Sequence, residues 1–350
     1  MKNRISEYST TKELSILICS FNVGDHKILK DDSDIENLFG RWTSSMPSAD
    51  LIILGLQEIH DLESKRRTAK SFLRPEKEDS RARLWTEKFS KYLAQNSSDG
   101  YYHLEHETLV GLYLCIFVKR MHQNSVFDYQ VKTVKTGMGG MHGNKGGILA
   151  RLRIDDTPIC IINCHLAAGI SNLSGRNSDA AQIIRSNSFS PISYPLPIFR
   201  QGGDGSQPLD YEQCFVFGDL NYRIEMPRKE ILEILSKVPS DYSELLNHDQ
   251  LTWQLADPAS ILHKFKEADI NFHPTYKYSV GKSTYKGEPK FRAPAWCDRI
   301  LVSGDAECTS YNRFECFVSD HRPISGVFKM KTRIIDPGKY KAVLSSLMNE

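Results

Sequence analysis

Two segments far apart in the chain set ionisable groups at the end of apolar runs: Phe217-Gly218-Asp219-Leu220-Asn221-Tyr222-Arg223 and Pro294-Ala295-Trp296-Cys297-Asp298-Arg299-Ile300-Leu301. Charge at the end of a buried strand is where a sheet presents chemistry to solvent. Asn22, Glu58, His165, Asp320 and His321 share this placement with Asp219, Asn221 and Asp298. Singly, each has an ordinary explanation, as a turn former or a satisfied structural histidine. Together they ask for one shared sheet edge. Asn22, Glu58 and Asp320 are oxygen donors, the set a hard divalent cation prefers, and so few carboxylates suit magnesium rather than calcium or zinc. Asp219 and Asn221 stand two apart, so an extended segment points both to one face. There one can accept a proton from water while the other donates to a phosphoryl oxygen. Asp298 is suited to orient the His321 imidazole.

Continuous apolar runs read as central strands covered on both faces. Leu14 to Phe21 ends on Asn22-Val23-Gly24, and Leu51 to Leu56 ends on Gln57-Glu58-Ile59. Short strands are expected at Tyr101–Leu109, Gly111–Val118, Val126–Val134, Ile148–Ile154, Ile159–Asn163, Ile300–Val302, Thr309–Val318 and Ile324–Phe328. Helical spacing covers Ile35–Trp42 behind an Asp34 cap, Ser80–Gln95, Asn177–Ser186, Lys229–Leu235 and Tyr242–Asn247. Between strands lies Gly137-Met138-Gly139-Gly140-Met141-His142-Gly143-Asn144-Lys145-Gly146-Gly147. It reads either as a connector or as a loop whose backbone N–H groups and Lys145 approach an anion. Residues 188–210 are rich in Ser, Pro and Gly and read as an irregular excursion. No internal repeat or linker divides the chain. The expectation is a polar lead-in over 1–12, one catalytic domain over 13–330 and a polar tail over 331–350 with a helix.

At 350 residues, 40% hydrophobic and 25% charged, the chain can bury a sizeable core. Its net charge of +2 is small for a non-specific nucleic-acid binder. The eight cysteines form no CxxC pair and mostly sit in apolar runs, as buried hydrophobes rather than a disulfide frame or zinc site. The polar N-terminus argues against a signal peptide, no apolar run nears the roughly 20 residues of a membrane span, and no prenylation box ends the chain. A cytoplasmic protein is expected, peripheral at membranes at most, and a monomer.

With these segments in hand, the chain resembles the inositol polyphosphate 5-phosphatases, within the endonuclease/exonuclease/phosphatase superfamily of deoxyribonuclease-like fold. The resemblance runs over roughly residues 12 to 330, through Asn22-Val23-Gly24, Gln57-Glu58-Ile59, Gly143-Asn144-Lys145-Gly146, His165-Leu166-Ala167-Ala168, GDLNYR from Gly218, PAWCDRIL from Pro294 and Ser319-Asp320-His321-Arg322-Pro323. GDxN and SDH are shared across the superfamily, whereas NYR and PAWCDRIL are particular to the 5-phosphatases. The resemblance implies an α/β fold, a four-layer α/β/β/α sandwich of two packed, mostly antiparallel or mixed sheets with outer helices. It implies that Glu58, with Asn22, holds Mg2+; that Asp219 positions or deprotonates the attacking water; and that Asn221 binds the scissile phosphate. His321, oriented by Asp298, and His165 would stabilise that phosphate, with Asp320 beside the metal. Hydrolysis would be an in-line displacement without a covalent intermediate, so Cys297 would not be a nucleophile; Ser303 stands where a CxxxxxR loop needs arginine.

For the substrate, the resemblance implies that Tyr276, Lys277 and Lys290 grip a neighbouring ring phosphate, with Asn144, Lys145 and Arg292 as further contacts. Phosphatidylinositol 4,5-bisphosphate, the 3,4,5-trisphosphate and soluble inositol polyphosphates are all within range. Two positions depart from the family pattern: Phe217 where tryptophan is usual, and Gly169 where a second histidine is common. The alternatives are a nuclease or sphingomyelinase of the same superfamily, and a catalytically silent phosphoinositide-binding module. PAWCDRIL and the small net charge weigh against the nuclease, and the filled catalytic positions against the silent module.

Overall fold

The computed structural model describes residues 4–27, 32–60, 80–109, 111–136, 145–193, 199, 202–237, 241–287 and 292–348. Its strands, in chain order, are β1 (Ser9–Asn22), β2 (Leu51–Gln57), β3 (Tyr101–Leu109), β4 (Leu112–Lys119), β5 (Val126–Lys135) and β6 (Gly146–Ile154). They continue with β7 (Thr157–His165), β8 (Gln213–Asp219), β9 (Lys266–Glu267), β10 (Asp298–Ser303), β11 (Glu307–Arg313) and β12 (Ile324–Ile335). These form two six-stranded sheets, ordered β11-β12-β1-β2-β4-β3 and β5-β6-β7-β8-β10-β9. Each sheet is mixed, with one parallel pair at its centre, β1 with β2 and β7 with β8, and antiparallel neighbours elsewhere.

The apolar runs explain this layering. In β1, Leu14, Ile16 and Ile18 point between the sheets, while Leu17, Cys19 and Phe21 point out under helices Ser33–Ser44 and Ser80–Asn96. β8 divides likewise: Phe215 and Phe217 face inward, Cys214 and Val216 face outward toward the side of helix Leu173–Ile184. A strand buried on both faces has no polar side to spare, so its sequence is a run rather than an alternation. The arrangement is the expected sandwich with outer helices.

Several boundaries move. The first long helix is capped by Asp32, whose carboxylate accepts the Ile35 N–H; Asp34 sits inside the first turn instead, where its charge favours the helix N-terminus. The helix expected at 177–186 runs over Leu173–Ile184, and a helix at Gln250–Ala256, capped by Asp249, was not expected from the pattern. β11 stops at Arg313, because the chain there leaves the sheet to carry Ser319–Arg322 to the strand ends. β1 begins at Ser9 and β12 ends at Ile335, paired with each other, and helix Pro337–Met348 packs Val343 on Tyr8. Ordered pairing thus extends past the 13–330 span at both ends.

The sheets meet most closely behind the functional edge. Gly55 of β2 has the Phe217 ring of β8 against its Cα, so a methyl group there would overlap the ring and press on Asn163 Cγ at 3.0 Å. Beside it Gln57 Nε2 donates to Asn163 Oδ1 at 2.8 Å, and Asn163 Nδ2 donates to the Tyr113 and Leu56 carbonyls at 2.9 and 3.1 Å. This buried amide clasp ties the two sheets together. Gly55→Ala is therefore expected to lower unfolding free energy by about 1–3 kcal/mol, as overpacking does. Urea denaturation checks it, and an unchanged midpoint would refute the close approach.

Candidate active site

β1 and β2 run parallel, as do β7 and β8, so four C-terminal strand ends lie along one side of the sandwich. β10 is antiparallel to β8 and so starts at that side, as does β12. Register then sets neighbours: His165 lies opposite Asp219, and Asp219 opposite Asp298. This topology gathers Asn22, Glu58, His165, Asp219, Asn221, Asp298, Asp320 and His321 at one edge.

Asp219 is the hub. Asn22 Nδ2 donates to its Oδ2 at 2.9 Å, His165 Nε2 lies 3.3 Å from the same oxygen, and His321 Nε2 lies 3.9 Å from it. Burial alone would raise its pKa, yet the charges of His321, His165 and Lys145 outweigh burial and hold the carboxyl far below its usual range. Glu58 Oε1 stands 3.7 Å from His165 Nε2, with its side chain about a third exposed. The Lys145 amine hydrogen-bonds His165 Nε2, and burial pushes its pKa down. His321 Nδ1 meets Asp298 Oδ2 at 2.8 Å, and the Thr275 hydroxyl donates to that oxygen at 2.6 Å. Burial would lower the His321 pKa, but the carboxylates of Asp298 and Asp219 prevail and raise it to about 9. Burial pushes Asp298 upward against the pull of His321. The pair is an imidazolium against a carboxylate, with the Nδ1 proton between them.

Two backbone kinks aim this cluster. Glu58 has φ of 53° and Asn221 of 58°, left-handed conformations that cost a non-glycine residue about 1–3 kcal/mol. The extended 219–221 segment expected from sequence is therefore absent: β8 ends at Asp219 and the chain turns. Asn221 N–H donates to Asp219 Oδ1 at 3.1 Å, so the two side chains are joined by a turn rather than by strand alternation. Asn221 Nδ2 donates to the Leu166 carbonyl at 3.1 Å, and Arg223 holds Asn221 through its carbonyl at 2.9 Å and its Oδ1. Glu58 is set by a clamp: Arg81 Nη1 donates to Asp25 Oδ1 at 2.5 Å and to the Ile59 carbonyl at 2.6 Å, while Asp25 N–H donates to the Glu58 carbonyl at 2.8 Å.

The remaining expected residues divide. The Tyr276 ring lies 4.6 Å from His321 on one side, and the Arg223 guanidinium lies 4.6 Å from its centroid. Lys277 Nζ pairs with Asp320 Oδ2 at 2.5 Å. Asp320, expected among the metal's oxygen donors, is thus tied to a lysine. Among the described residues, the His, Cys, Asp and Glu groups whose ligand atoms converge are Glu58–His165–Asp219 and Asp219–Asp298–His321. With the Asn22 amide alongside, the first is an oxygen-rich, cysteine-free set open to solvent through Glu58, which fits a hard divalent cation. Asn22 presents its nitrogen to Asp219 and its oxygen to the Gly24 N–H. Arg292 is exposed, and Asn144 and Lys290 lie outside the described residues. Cys297 is buried, and burial drives its thiol pKa far up, the reverse of an activated nucleophile.

Sequence reading missed the supports: Thr275 on Asp298; Ser319, whose hydroxyl donates to the Asn22 carbonyl at 2.7 Å and accepts the His321 N–H at 3.1 Å; Arg223; and Arg81. Ser319 and Arg223 lie inside recognisable motifs, but nothing local marks Arg81. Arg299 of the PAWCDRIL segment lies away from the site. Strand alternation turns it to the opposite face from Asp298, where it pairs with Asp249 at 2.9 Å and Glu267 at 2.5 Å, fully buried. Arg299→Ala would strand two buried carboxylates and is expected to cost about 3–5 kcal/mol of stability. Turnover per folded molecule should stay within about threefold of wild type, because no reacting group is touched. Denaturant melts alongside active-site-normalised rates check this; lost turnover at full stability would contradict it.

The endonuclease/exonuclease/phosphatase family 2 model matches residues 19–327. The chain is 41% identical over 356 residues to a probable inositol polyphosphate 5-phosphatase of Schizosaccharomyces pombe, covering 96% of this chain and 30% of that protein. It is 34% identical over 346 residues to a synaptojanin of Caenorhabditis elegans, covering 94% of this chain and 29% of that protein. The chain thus spans about 30% of the length of these curated relatives. Among solved structures it superposes, with TM-score 0.80 and 30% identity, on the inositol polyphosphate 5-phosphatase domain of a synaptojanin, crystallised with inositol (1,4)-bisphosphate and calcium ion. That match covers 99% of this chain and 93% of the domain. Its motifs, its paired sheets and this whole-domain likeness agree: the chain belongs to the endonuclease/exonuclease/phosphatase family, among the inositol polyphosphate 5-phosphatase domains.

Proposed function

We propose that the chain hydrolyses the 5-phosphate of phosphoinositides, of soluble inositol polyphosphates, or of both, with magnesium as its metal. One observation carries this reading: a buried Asp219 kept anionic between His165 and the His321–Asp298 pair, beside an open Glu58. The names of the relatives support the substrate class. So does the ligand of the matched domain, because inositol (1,4)-bisphosphate is what remains when inositol 1,4,5-trisphosphate loses its 5-phosphate. All eight cysteines are free and all but Cys308 are buried, which supports a reducing, cytoplasmic setting.

Glu58 and Asn22 would hold magnesium, which supplies a Lewis acid at the phosphoryl oxygens. Asp219 receives the proton side of the attacking water, and Asn22 fixes the carboxylate plane by donating to its Oδ2. Asn221 has one N–H engaged by the Leu166 carbonyl and turns the other toward the phosphate. His321 is anchored through Nδ1 by Asp298, so its Nε2–H is aimed at the charge that develops on the phosphoryl group. Lys145 adds positive character next to His165. Tyr276 and Lys277 flank His321 and suit a second ring phosphate, for which Lys277 exchanges its Asp320 partner.

The decisive assay is phosphate release, with magnesium and with excess chelator, from both phosphoinositides, soluble inositol 1,4,5-trisphosphate and a supercoiled plasmid. Metal-dependent release from an inositol substrate is expected; nicking of plasmid without release would overturn the reading. Asp219→Asn should reduce turnover at least about a thousandfold while substrate affinity changes little. Near-normal rates in that variant would remove Asp219 from the reaction. Because the His321 pKa is raised, its cation persists at neutral pH and is lost as pH rises through about 9. Turnover should therefore fall on the alkaline side, and His321→Asn should abolish that limb along with most activity. A rate profile measured from about pH 6 to 10 tests this; a flat one would show that the imidazolium is not needed.

A further inference from the structure

A hairpin leaves the site at Lys277 and returns to it, with Lys286 N–H donating to the Lys277 carbonyl at 2.8 Å. Tyr278 and Tyr285 stack across it at 4.4 Å, and Ser279 N–H donates to the Thr284 carbonyl at 2.9 Å. Arg322 braces it from beneath: the guanidinium lies 3.9 Å from the Tyr278 centroid and 4.9 Å from the Phe317 centroid, and donates to the Lys282 carbonyl at 2.5 Å. Gly281 N–H donates to the Phe317 carbonyl at 2.8 Å. This well-braced element holds an apolar side chain in water: Val280 is 63% exposed, and Phe317 beside it 38% exposed.

Position and charge give that exposure a meaning. Among the described exposed apolar residues, Met121 follows β4, Phe127 begins β5, and Leu344 and Met348 follow β12, at the opposite end of the sandwich, while Trp253 lies on helix Gln250–Ala256 and Ile170 follows β7 as a single side chain 39% exposed. Val280 and Phe317 lie on the site edge. Residues 275–287 contain Lys277, Lys282 and Lys286 and no acid. Among the described residues, the neighbouring carboxylates Asp320 and Glu315 are occupied, Asp320 by Lys277 and Glu315 by Arg313 and Arg322; Glu288, next in sequence, lies outside the described residues. A protein interface needs on the order of 800 Å² per partner, far more than a valine and a phenylalanine provide. An apolar tip with adjacent lysines matches the interface of an anionic bilayer.

We propose that the Tyr278–Tyr285 hairpin is a membrane-docking element: Val280 and Phe317 enter the interfacial layer while Lys282 and Lys286 pair with anionic headgroups. Docking there turns Lys277 and the strand ends toward the lipid surface. This rests on the phosphoinositide part of the proposed function, since only a membrane-borne substrate requires it.

Val280→Trp converts the tip into a reporter. Its emission, against the wild-type baseline, should shift to the blue with phosphatidylserine vesicles that contain no phosphoinositide, and stay put with purely zwitterionic vesicles. Val280→Glu combined with Lys282→Glu should lower both vesicle binding and hydrolysis of vesicle-borne phosphatidylinositol 4,5-bisphosphate at least about tenfold. Hydrolysis of soluble inositol 1,4,5-trisphosphate by that variant should stay within about twofold, showing that it is folded and competent. An unmoved reporter with normal soluble turnover would overturn the docking element and leave the catalytic reading standing. A blue shift in a chain that hydrolyses no inositol substrate would support docking and overturn the catalytic reading. Equal loss on soluble and vesicle substrates would also overturn the proposal, placing the hairpin in substrate binding instead.

Discussion

A buried carboxylate that must stay charged organises this molecule. Asp219 is almost fully out of water, where an isolated anion would take up a proton. It remains ionised because His321, His165 and Lys145 surround it, and His321 is in turn held by Asp298. The result is a polar cluster that no single segment can supply. Its members come from the ends of β2, β7, β8 and β10, from the residue before β6 and from the turn before β12, and only the packing of two sheets brings those ends together.

The packing also separates the duties within the PAWCDRIL segment. From Trp296 to Arg299 successive residues do different jobs: the Trp296 indole donates to the Phe272 carbonyl at 3.0 Å in a small apolar cluster, and Cys297 fills space. Asp298 faces the reacting edge, and Arg299 clamps Asp249 and Glu267 behind the sheet. Alternation along β10 is the cause, since neighbouring side chains in a strand point to opposite faces. A cavity of about 540 Å³ opens on that rear side, lined by Tyr242, Glu267, Ile270 and Arg299, with Glu267 and Arg299 paired to each other. The candidate site instead lies on the exposed rim of the sandwich.

Rigidity at that rim comes from polar supports rather than from the core. The left-handed Glu58 and Asn221 are held by Arg81 with Asp25 and by Arg223, and His321 by Asp298, Thr275 and Ser319. Each costs desolvation, and each fixes a reacting group to a direction. The Tyr278–Tyr285 hairpin extends the same construction outward, from Lys277 to the solvent.

Much was legible in the sequence because local physics decides it. Doubly buried strands must be apolar throughout, so Leu14–Phe21 and Leu51–Leu56 announce central strands, and the polar residues that end them mark an edge. The GDLNYR and PAWCDRIL segments identify the family, and from it the sandwich, before any coordinate. Other features depend on partners distant in the chain. Asp320 stands among the oxygen donors in the sequence and is paired with Lys277 in the fold, Arg299 next to Asp298 turns to Asp249 and Glu267, and Asn221 looks extended until its turn closes on Asp219. Arg81, beyond a charged stretch, carries no local sign of holding Glu58. Residue type and period set which segments pair and which ends are polar; which charge neutralises which is settled only when two sheets close on each other, because electrostatics acts through space and not along the chain.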